Sequence, residues 1–321
     1  MRLGVFTVIL SGKPFEEAVK YLKSKGVTAV ELGCGGYPAS PHADAEALLK
    51  DPQKIAAMKK ILTDNGMIIS AFSVHGNPVH PDKEAAGKFH KDFENAVLLA
   101  EKFGVDTVIT FSGCPGDHDG AKYPNWVTCP WPEDFLAILD YQWKVLVGYW
   151  KKAAEFAKAH GVTKIALEMH PGFCVYNPET LMRLRNEVGG NIIGANFDPS
   201  HLFWQGIDPV RAIKNLGSAI HHFHAKDVRV DKYNAAANGV LDTKHYTDEL
   251  NRSWIFRSVG YGQDAAYWKA LVSNLRMVGY DYAISIEHED SLMSQNEGLS
   301  KAVALLKDVL IKEQPGEMWW A

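Results

Sequence analysis

The chain has 321 residues, of which 46% are hydrophobic and 22% are charged, and its formal net charge is −4. This is the composition of a globular protein with ample apolar material for a core. The negative balance argues against nucleic acid as a partner, because nucleic-acid-binding surfaces carry a positive field.

Other features of the composition bear on location. No run of about eighteen apolar residues is present, so we expect no membrane span. The four cysteines form no CxxC pair, which indicates neither a disulfide framework nor a thiolate metal site. The N-terminal stretch MRLGVFTVIL is too short an apolar run for a secretion signal. We therefore expect a cytoplasmic protein.

Short apolar runs alternate along the chain with longer segments of helical period. The short runs predict eight strands, near residues 3–8, 28–33, 67–74, 105–112, 163–169, 192–198, 219–224 and 282–287. The segments between them predict helices with clear ends. PFEEAVKYLKSKG, for example, begins at Pro14 with acids in its first turn and ends at Gly26.

Strands that alternate with helices form parallel βα units, and eight such units favour a closed (β/α)8 TIM barrel of the α/β class. The glycine fingerprint of an open dinucleotide-binding sheet is missing after the first strand, where the sequence reads ILSGK. We expect residues 1–321 to form one TIM-barrel domain. Its long rim loops, at 113–133 and 225–263, should shape the substrate pocket.

The last four predicted strands end in residues that bind metal ions, namely Glu168, Asp198, His224 and Glu287. The carboxyl ends of barrel strands meet at one face, so these side chains should point into one volume. Three crowded acids repel one another, and a divalent cation removes that difficulty. Oxygen donors with one nitrogen suit a single divalent ion, Mn2+ foremost, with Mg2+, Co2+ or Zn2+ as alternatives.

Each of these residues also has a purely structural interpretation. Asp198 precedes Pro199 and is placed to cap a helix, and His224 alone could bond to a backbone carbonyl. The agreement of four independent strand ends favours the metal site.

The same residues stand in motifs that resemble a known family. The chain reads E-x-H-P from Glu168, D-P-S-H from Asp198, H-x-K-D from His224 and S-I-E up to Glu287. These motifs resemble the sugar phosphate isomerase/epimerase superfamily with the xylose isomerase-like barrel, which includes ketose 3-epimerases, inosose dehydratases and inosose isomerases. The stretch GYGQD at 260–264 is similar to the glycine-rich segment before that family's last helix. The first four strands match only in outline.

The resemblance implies roles for individual residues. The four strand-end residues would be the metal ligands, and Glu168 and Glu287 would also be the catalytic acid/base pair. His201 would hold substrate oxygens. The family often carries an arginine six residues after the metal histidine, where this chain has Val230, so Arg229, one residue earlier, is the candidate substrate contact.

Further candidate substrate contacts are predicted from position. His75 ends the third strand, His170 follows Glu168 by two residues, and Lys226 follows His224 by two. Trp126, in the 113–133 loop, could form an apolar wall against a sugar ring. Simple packing of the tryptophan, a surface ion pair of the lysine and a bond from His170 to a neighbouring side chain are the alternative interpretations.

The predicted site favours one kind of chemistry. A metal that binds a carbonyl oxygen and an adjacent hydroxyl stabilises the enediolate left when a carboxylate removes the neighbouring proton. Return of the proton gives epimerisation or isomerisation, whereas loss of a group at the β-carbon gives elimination. We expect a metal-dependent isomerase or epimerase with a small carbohydrate substrate. The alternative is a lyase or dehydratase, including one that eliminates an aglycone from a 3-oxo-glycoside.

Two other classes stay open. Apurinic-site endonucleases share this barrel but need a trinuclear metal cluster and a basic groove, which the net charge disfavours. A binding module on a barrel without activity is the non-catalytic alternative. The apolar tail EMWW, at 317–320, could dock on the barrel or on another subunit, so a homo-oligomer or a partner subunit also stays open.

Overall fold

Eight parallel strands form a closed barrel in the computed structural model, which describes residues 1–129 and 131–321. The barrel strands are β1 (Arg2–Phe6), β2 (Ala29–Gly33), β3 (Ile68–Ser73), β4 (Thr107–Phe111), β5 (Lys164–Glu168), β6 (Ile193–Phe197), β7 (Ile220–Ala225) and β10 (Ala283–Ile286). Strand β10 pairs with both β7 and β1 and so closes the ring. The predicted (β/α)8 TIM barrel is confirmed.

Helices surround the barrel in the described ranges. They are α1 (Phe15–Ser24), α2 (Ala45–Leu49), α3 (Pro52–Asp64), α4 (Lys83–Phe103), α5 (Asp134–Ala159), α6 (Pro178–Val188), α7 (Pro199–Trp204), α8 (Pro209–Leu216), α9 (Lys232–Asn238), α10 (Ala265–Met277) and α11 (Gln295–Val309). One of them, α9, belongs instead to the insertion after β7. None of these helices combines the length and apolar character that crossing a bilayer requires.

Side chains alternate between two environments along each barrel strand, because successive residues of a strand face opposite sides. On β7, Phe223 and Ala225 belong to the apolar core between strands and helices. The residues that alternate with them, His222 and His224, are fully buried and make polar contacts inside the barrel. The interior of this barrel is therefore polar towards its carboxyl end.

The predicted loop at 225–263 contains regular structure that the sequence analysis missed. Strands β8 (Asp227–Val230) and β9 (Trp254–Arg257) form an antiparallel ribbon, and α9 lies between them. Trp254 stacks on Trp204 with ring centroids 4.6 Å apart and an interplanar angle of 7°, which fixes the ribbon over α7. The described part of the 113–133 loop has no helix or strand, and residue 130 lies outside the described residues.

Asp227 attaches this ribbon to the segment that precedes α10. Its Oδ2 atom accepts hydrogen bonds from the indole of Trp268 at 3.3 Å and from three backbone N–H groups, those of Gly260, Gly262 and Gln263, at 2.9, 3.1 and 3.0 Å. A Cβ atom on Gly262 would overlap the backbone of β8. The glycine-rich motif thus brings peptide N–H groups onto a buried carboxylate, which is a structural role.

Replacement of Asp227 by alanine should lower the free energy of unfolding by about 3 kcal/mol or more, because each buried donor left unpaired costs about 1–3 kcal/mol. Asp264→Ala is the matched control. Asp264 caps α10 by accepting a hydrogen bond from the Tyr267 N–H at 2.8 Å, and loss of an N-cap costs about 1 kcal/mol. Urea denaturation measures both variants, and equal losses would contradict the anchoring role of Asp227.

Candidate metal centre

The four strand-end side chains come together at the carboxyl end of the barrel. Glu168 is the last residue of β5, His224 lies in β7, and Asp198 and Glu287 directly follow β6 and β10. One ligand atom from each lies within 4.8 Å of the ligand atoms of the others. The spacing fits a site for one ion.

The hydrogen bonding of this cluster provides a test of whether a cation fits. Three of its buried atoms, Asp198 Oδ2, His224 Nδ1 and Glu287 Oε2, form no hydrogen bond of good geometry with the described residues, although Lys226 Nζ lies within 3.0 Å of the two carboxylate oxygens. His224 Nδ1 lies only 3.1 Å from Glu168 Oε2 and 3.0 Å from Glu287 Oε2. Buried polar atoms nearly always have partners. Carboxylate oxygens and one imidazole nitrogen that share a volume are a donor set for a divalent cation.

Lys226 brings positive charge to the edge of the cluster. Its Nζ atom lies 3.0 Å from Asp198 Oδ2, 2.8 Å from Glu287 Oε2 and 3.2 Å from Glu289 Oε2. Burial opposes the charged form of this lysine, but the neighbouring carboxylates hold its pKa well above the usual value. Burial likewise opposes ionisation of Glu287, yet Lys226 and His224 keep the pKa of that carboxyl well below its usual range.

Glu31 is a functional candidate that the sequence analysis missed. It lies in β2, and its two oxygens are 2.9 and 3.0 Å from Nε2 of His224. It also accepts hydrogen bonds from the hydroxyls of Ser73 and Ser285. A carboxylate in this position holds one imidazole nitrogen and leaves the other, Nδ1, to face the cluster. The sequence did contain a signal for this residue, namely an acid inside the apolar run TAVELG. A buried charge needs polar or charged partners, so an acid in such a run indicates a polar site.

A chain of hydrogen bonds supports Glu168 from below. Asn196 donates from Nδ2 to Glu168 Oε2 at 3.0 Å, and its Oδ1 atom lies 3.0 Å from Nδ1 of His222. Nε2 of the same histidine lies 3.1 Å from the hydroxyl of Ser70. Burial lowers the pKa of His222 to about 4, so the ring is neutral at pH 7. It therefore donates through Nδ1 to the amide oxygen and accepts at Nε2 from the hydroxyl.

Asp198 makes two different contacts with its two oxygens. Oδ1 accepts the backbone N–H of Ser200 at 2.8 Å and caps α7, as a helix-capping interpretation of the sequence predicts. Oδ2 faces the ligand cluster and lies 3.3 Å from Nε2 of His201. Asp198 therefore both caps α7 and belongs to the ligand cluster.

The predicted substrate contacts His75 and His201 contact Glu168. Their Nε2 atoms lie 3.1 Å from Oε2 and Oε1 of that carboxylate, respectively. Burial would raise the pKa of Glu168, but the neighbouring imidazoles of His201, His224 and His75 hold it well below the usual value. These contacts fix the position and the charge of Glu168.

A cavity of about 210 Å³ opens directly above the cluster. Its polar lining comes from Glu168, Glu287, Glu289, Lys226, His75 and His170, and its apolar lining comes from Phe6, Tyr37, Pro38 and Phe111. Asp198 and His224 lie beneath it and are 1% and 0% exposed. The cavity, here called the metal cavity, therefore contains two carboxylates of the cluster and three of the predicted substrate contacts.

Two predicted substrate contacts lie elsewhere. Arg229 is exposed and lines a separate cavity on the ribbon, because one position along a strand turns the side chain to the other face. Trp126 lines a third cavity and packs edge-on against Tyr176 at 5.3 Å. The amide of Gln142 in α5 binds backbone carbonyls of the 113–133 loop and holds it there.

The closed ring of eight parallel strands places the protein in the class of TIM barrels. The chain belongs to the xylose isomerase-like TIM barrel family, whose sequence profile matches residues 19–309. The resemblance seen in the motifs is thereby confirmed.

Two curated relatives are similar over much of the chain. The uncharacterized protein YfiH of Bacillus subtilis is 42% identical over 314 residues, which are 97% of this chain and 99% of YfiH. An inosose dehydratase of Clostridium perfringens is 25% identical over 205 residues, which are 63% of each chain.

Two solved structures share the fold. The IolI protein with a bound zinc atom has a TM-score of 0.66 and 18% identity, with 97% of this chain and 98% of the other covered. A D-psicose 3-epimerase of Clostridium cellulolyticum H10, solved with D-tagatose, has a TM-score of 0.63 and 15% identity, with 96% and 98% covered.

Replacement of Glu31 by glutamine should weaken the binding of Mn2+ or Zn2+ about 10–100-fold, the usual effect of losing a partner of a metal-binding histidine. Competition between chelator-stripped protein and a fluorescent chelator measures the affinity. Asp290→Asn is the matched control, since Asp290 is a buried carboxylate bonded to Arg257 and the Ser258 N–H. Wild-type affinity in the Glu31 variant would contradict the orienting role.

Proposed function

We propose that this protein is a divalent-metal-dependent sugar isomerase or epimerase that removes a proton from a carbon next to a carbonyl. The observation that carries the proposal is the placement of Glu168 and Glu287. Both belong to the ligand cluster and both line the metal cavity, whereas Asp198 and His224 are buried below it. Two carboxylates at one cavity can remove a proton and return it.

In this proposal the four cluster residues hold one divalent cation. When bound, it supplies a Lewis acid for the carbonyl and adjacent hydroxyl oxygens of the substrate. Glu168 and Glu287 are ionised, because their partners lower both pKa values, and each can accept a proton from the substrate carbon. Lys226, whose Nζ atom lies between Glu287 and Glu289, can donate a hydrogen bond to a substrate oxygen.

The apolar wall of the cavity suits this reaction. Phe6, Tyr37 and Phe111 line one part of it, and Phe6 stacks on the His224 ring at 5.8 Å. Aromatic faces can lie against the C–H groups of a carbohydrate and exclude water from the reacting carbon. Low dielectric in the cavity strengthens the attraction between the Lys226 ammonium and the negative charge that develops on the substrate oxygens.

A lyase or dehydratase is the second candidate function. The same proton abstraction leads to elimination when the β-carbon carries a leaving group, so the cluster supports both outcomes. Two observations favour this candidate. One relative is named an inosose dehydratase, and a second cavity adjoins the metal cavity at His170 and Glu289, which leaves room for a substrate larger than a free sugar.

The hydrogen bonding inside the barrel supports one ion instead of a larger cluster. Glu31, His222 and His224 also lie close enough together to hold a cation. However, Glu31 is bonded to His224 and two serine hydroxyls, and His222 to Asn196 and Ser70. We expect about one metal ion per chain by elemental analysis, with content well above one favouring an endonuclease-like site.

Glu287→Gln should slow hydrogen exchange between substrate and solvent by about 100-fold or more, because general acid–base groups contribute about 10²–10⁴. The metal-saturated enzyme would be incubated in D2O with D-fructose, D-tagatose, D-psicose or inosose and followed by proton NMR. Glu289→Gln, at the neighbouring rim position, is the control and should retain exchange. Exchange at the wild-type rate in Glu287→Gln would reject Glu287 as acid/base.

Mass spectrometry of the same reactions separates the two candidate functions. An isomerase or epimerase leaves the substrate mass unchanged in H2O, because the proton that leaves one carbon returns to it or to its neighbour. A dehydratase gives a product lighter by one water, and a lyase releases the leaving group. A wild-type product lighter by one water would reject the first candidate in favour of the second.

A further inference from the structure

A second cavity of about 310 Å³ adjoins the metal cavity beneath the β8–β9 insertion. Its lining residues, which define it here as the aromatic chamber, are His170, Tyr246, Ile255, Phe256, Glu289 and Ser291. His170 and Glu289 line both cavities. The two cavities therefore adjoin at these side chains.

The metal cavity is small for a ligand site. Small-molecule sites usually have about 300–1,000 Å³, and the metal cavity has only about 210 Å³. The adjoining chamber is larger than the metal cavity. A ligand with more than one ring would therefore extend from the metal cavity into the chamber.

The wall of the chamber is aromatic and held in place. The rings of Tyr246 and Phe256 stack at 5.9 Å with an interplanar angle of 20°. The Arg252 guanidinium lies 4.5 Å from the Tyr246 ring. Phe256 contacts the edge of the His201 ring at 5.4 Å, and the Lys226 ammonium lies 4.7 Å from its centroid. The wall is thus packed directly against two residues of the metal centre.

The polar groups of the chamber lie where hydroxyls could reach them. Glu289 has a half-exposed carboxylate whose Oε2 is 3.2 Å from Lys226 Nζ, and Ser291 adds a hydroxyl. An aromatic wall with a few polar groups is a surface for a ring that has one apolar face.

We propose that the aromatic chamber is a subsite for a second ring, linked to the carbohydrate that the metal centre holds. The ring would pack against the parts of Tyr246 and Phe256 that line the chamber, with its substituents towards Glu289 and Ser291. Its chemistry is that of a sugar ring or an aromatic ring in glycosidic linkage, both of which offer an apolar face. This assignment rests on the proposed function, since it places the reacting carbohydrate at the metal cavity.

Binding of matched one-ring and two-ring compounds tests the subsite without turnover. The Mn2+-loaded protein would be titrated by calorimetry with D-fructose and with three forms that carry glucose on different oxygens, namely turanose, leucrose and isomaltulose. Methyl and phenyl β-D-glucopyranoside form the aromatic pair. We expect at least one two-ring compound to bind about tenfold more tightly than its one-ring counterpart, the size of effect that one aromatic contact provides.

Tyr246→Ala should abolish this gain and leave the affinity for the one-ring compounds unchanged, which also shows that the variant is folded. Tyr233→Ala is the matched control. Tyr233 lies in α9 of the same insertion, is 88% exposed and does not line the chamber, so this variant should keep the gain. A gain with the glucosylated ketoses assigns the chamber to a sugar ring, and a gain with the phenyl glycoside assigns it to an aromatic ring.

The absence of any gain in the wild type, or a gain that survives in Tyr246→Ala, would overturn the subsite. The outcome is independent of catalysis. A protein that prefers two-ring compounds but shows no hydrogen exchange would keep the chamber and lose the proposed function. Hydrogen exchange without a preference for two-ring compounds would keep the proposed function and reject the subsite.

Discussion

The carboxyl end of this barrel buries more negative charge than its neighbouring ammonium group can balance. Glu168, Asp198 and Glu287 share one small volume, and Glu31 lies just below. Lys226 compensates part of this charge. Unpaired buried charges are strongly unfavourable, so the surrounding residues are arranged to make the cluster tolerable. The buried histidines and amide around Glu168 serve that purpose, and a divalent cation would complete it.

Strand periodicity explains which parts of this arrangement follow from the sequence. Glu168, Asp198 and Glu287 stand at or just after strand ends, so their position in the chain already indicates the rim. Glu31 does not. It lies inside β2, and its partner His224 is 193 positions away along the chain. Only the closed ring of strands brings the two side chains together.

The insertion after β7 was beyond sequence analysis for a different reason. Its two strands have four residues each, and β8 begins with Asp227 and includes Arg229. Such short, partly charged strands lack the apolar run that identifies a strand. The pairing register also determines where Arg229 lies. Because it stands one residue before the family's arginine position, its side chain is on the other face of the strand and lines a separate cavity. Nothing in the sequence around Tyr246 indicates that it lines a cavity, because its position depends on its contact with the ring of Phe256.

The two oxygens of Asp198 link the candidate ion site to the β8–β9 ribbon. One oxygen is directed at the cluster, and the other caps the N-terminus of α7. That helix carries Trp204, whose indole supports Trp254 of the ribbon, and Phe256 lies two residues further on. The carboxylate that faces the candidate ion site therefore also fixes the short helix against which the ribbon and the wall of the aromatic chamber pack.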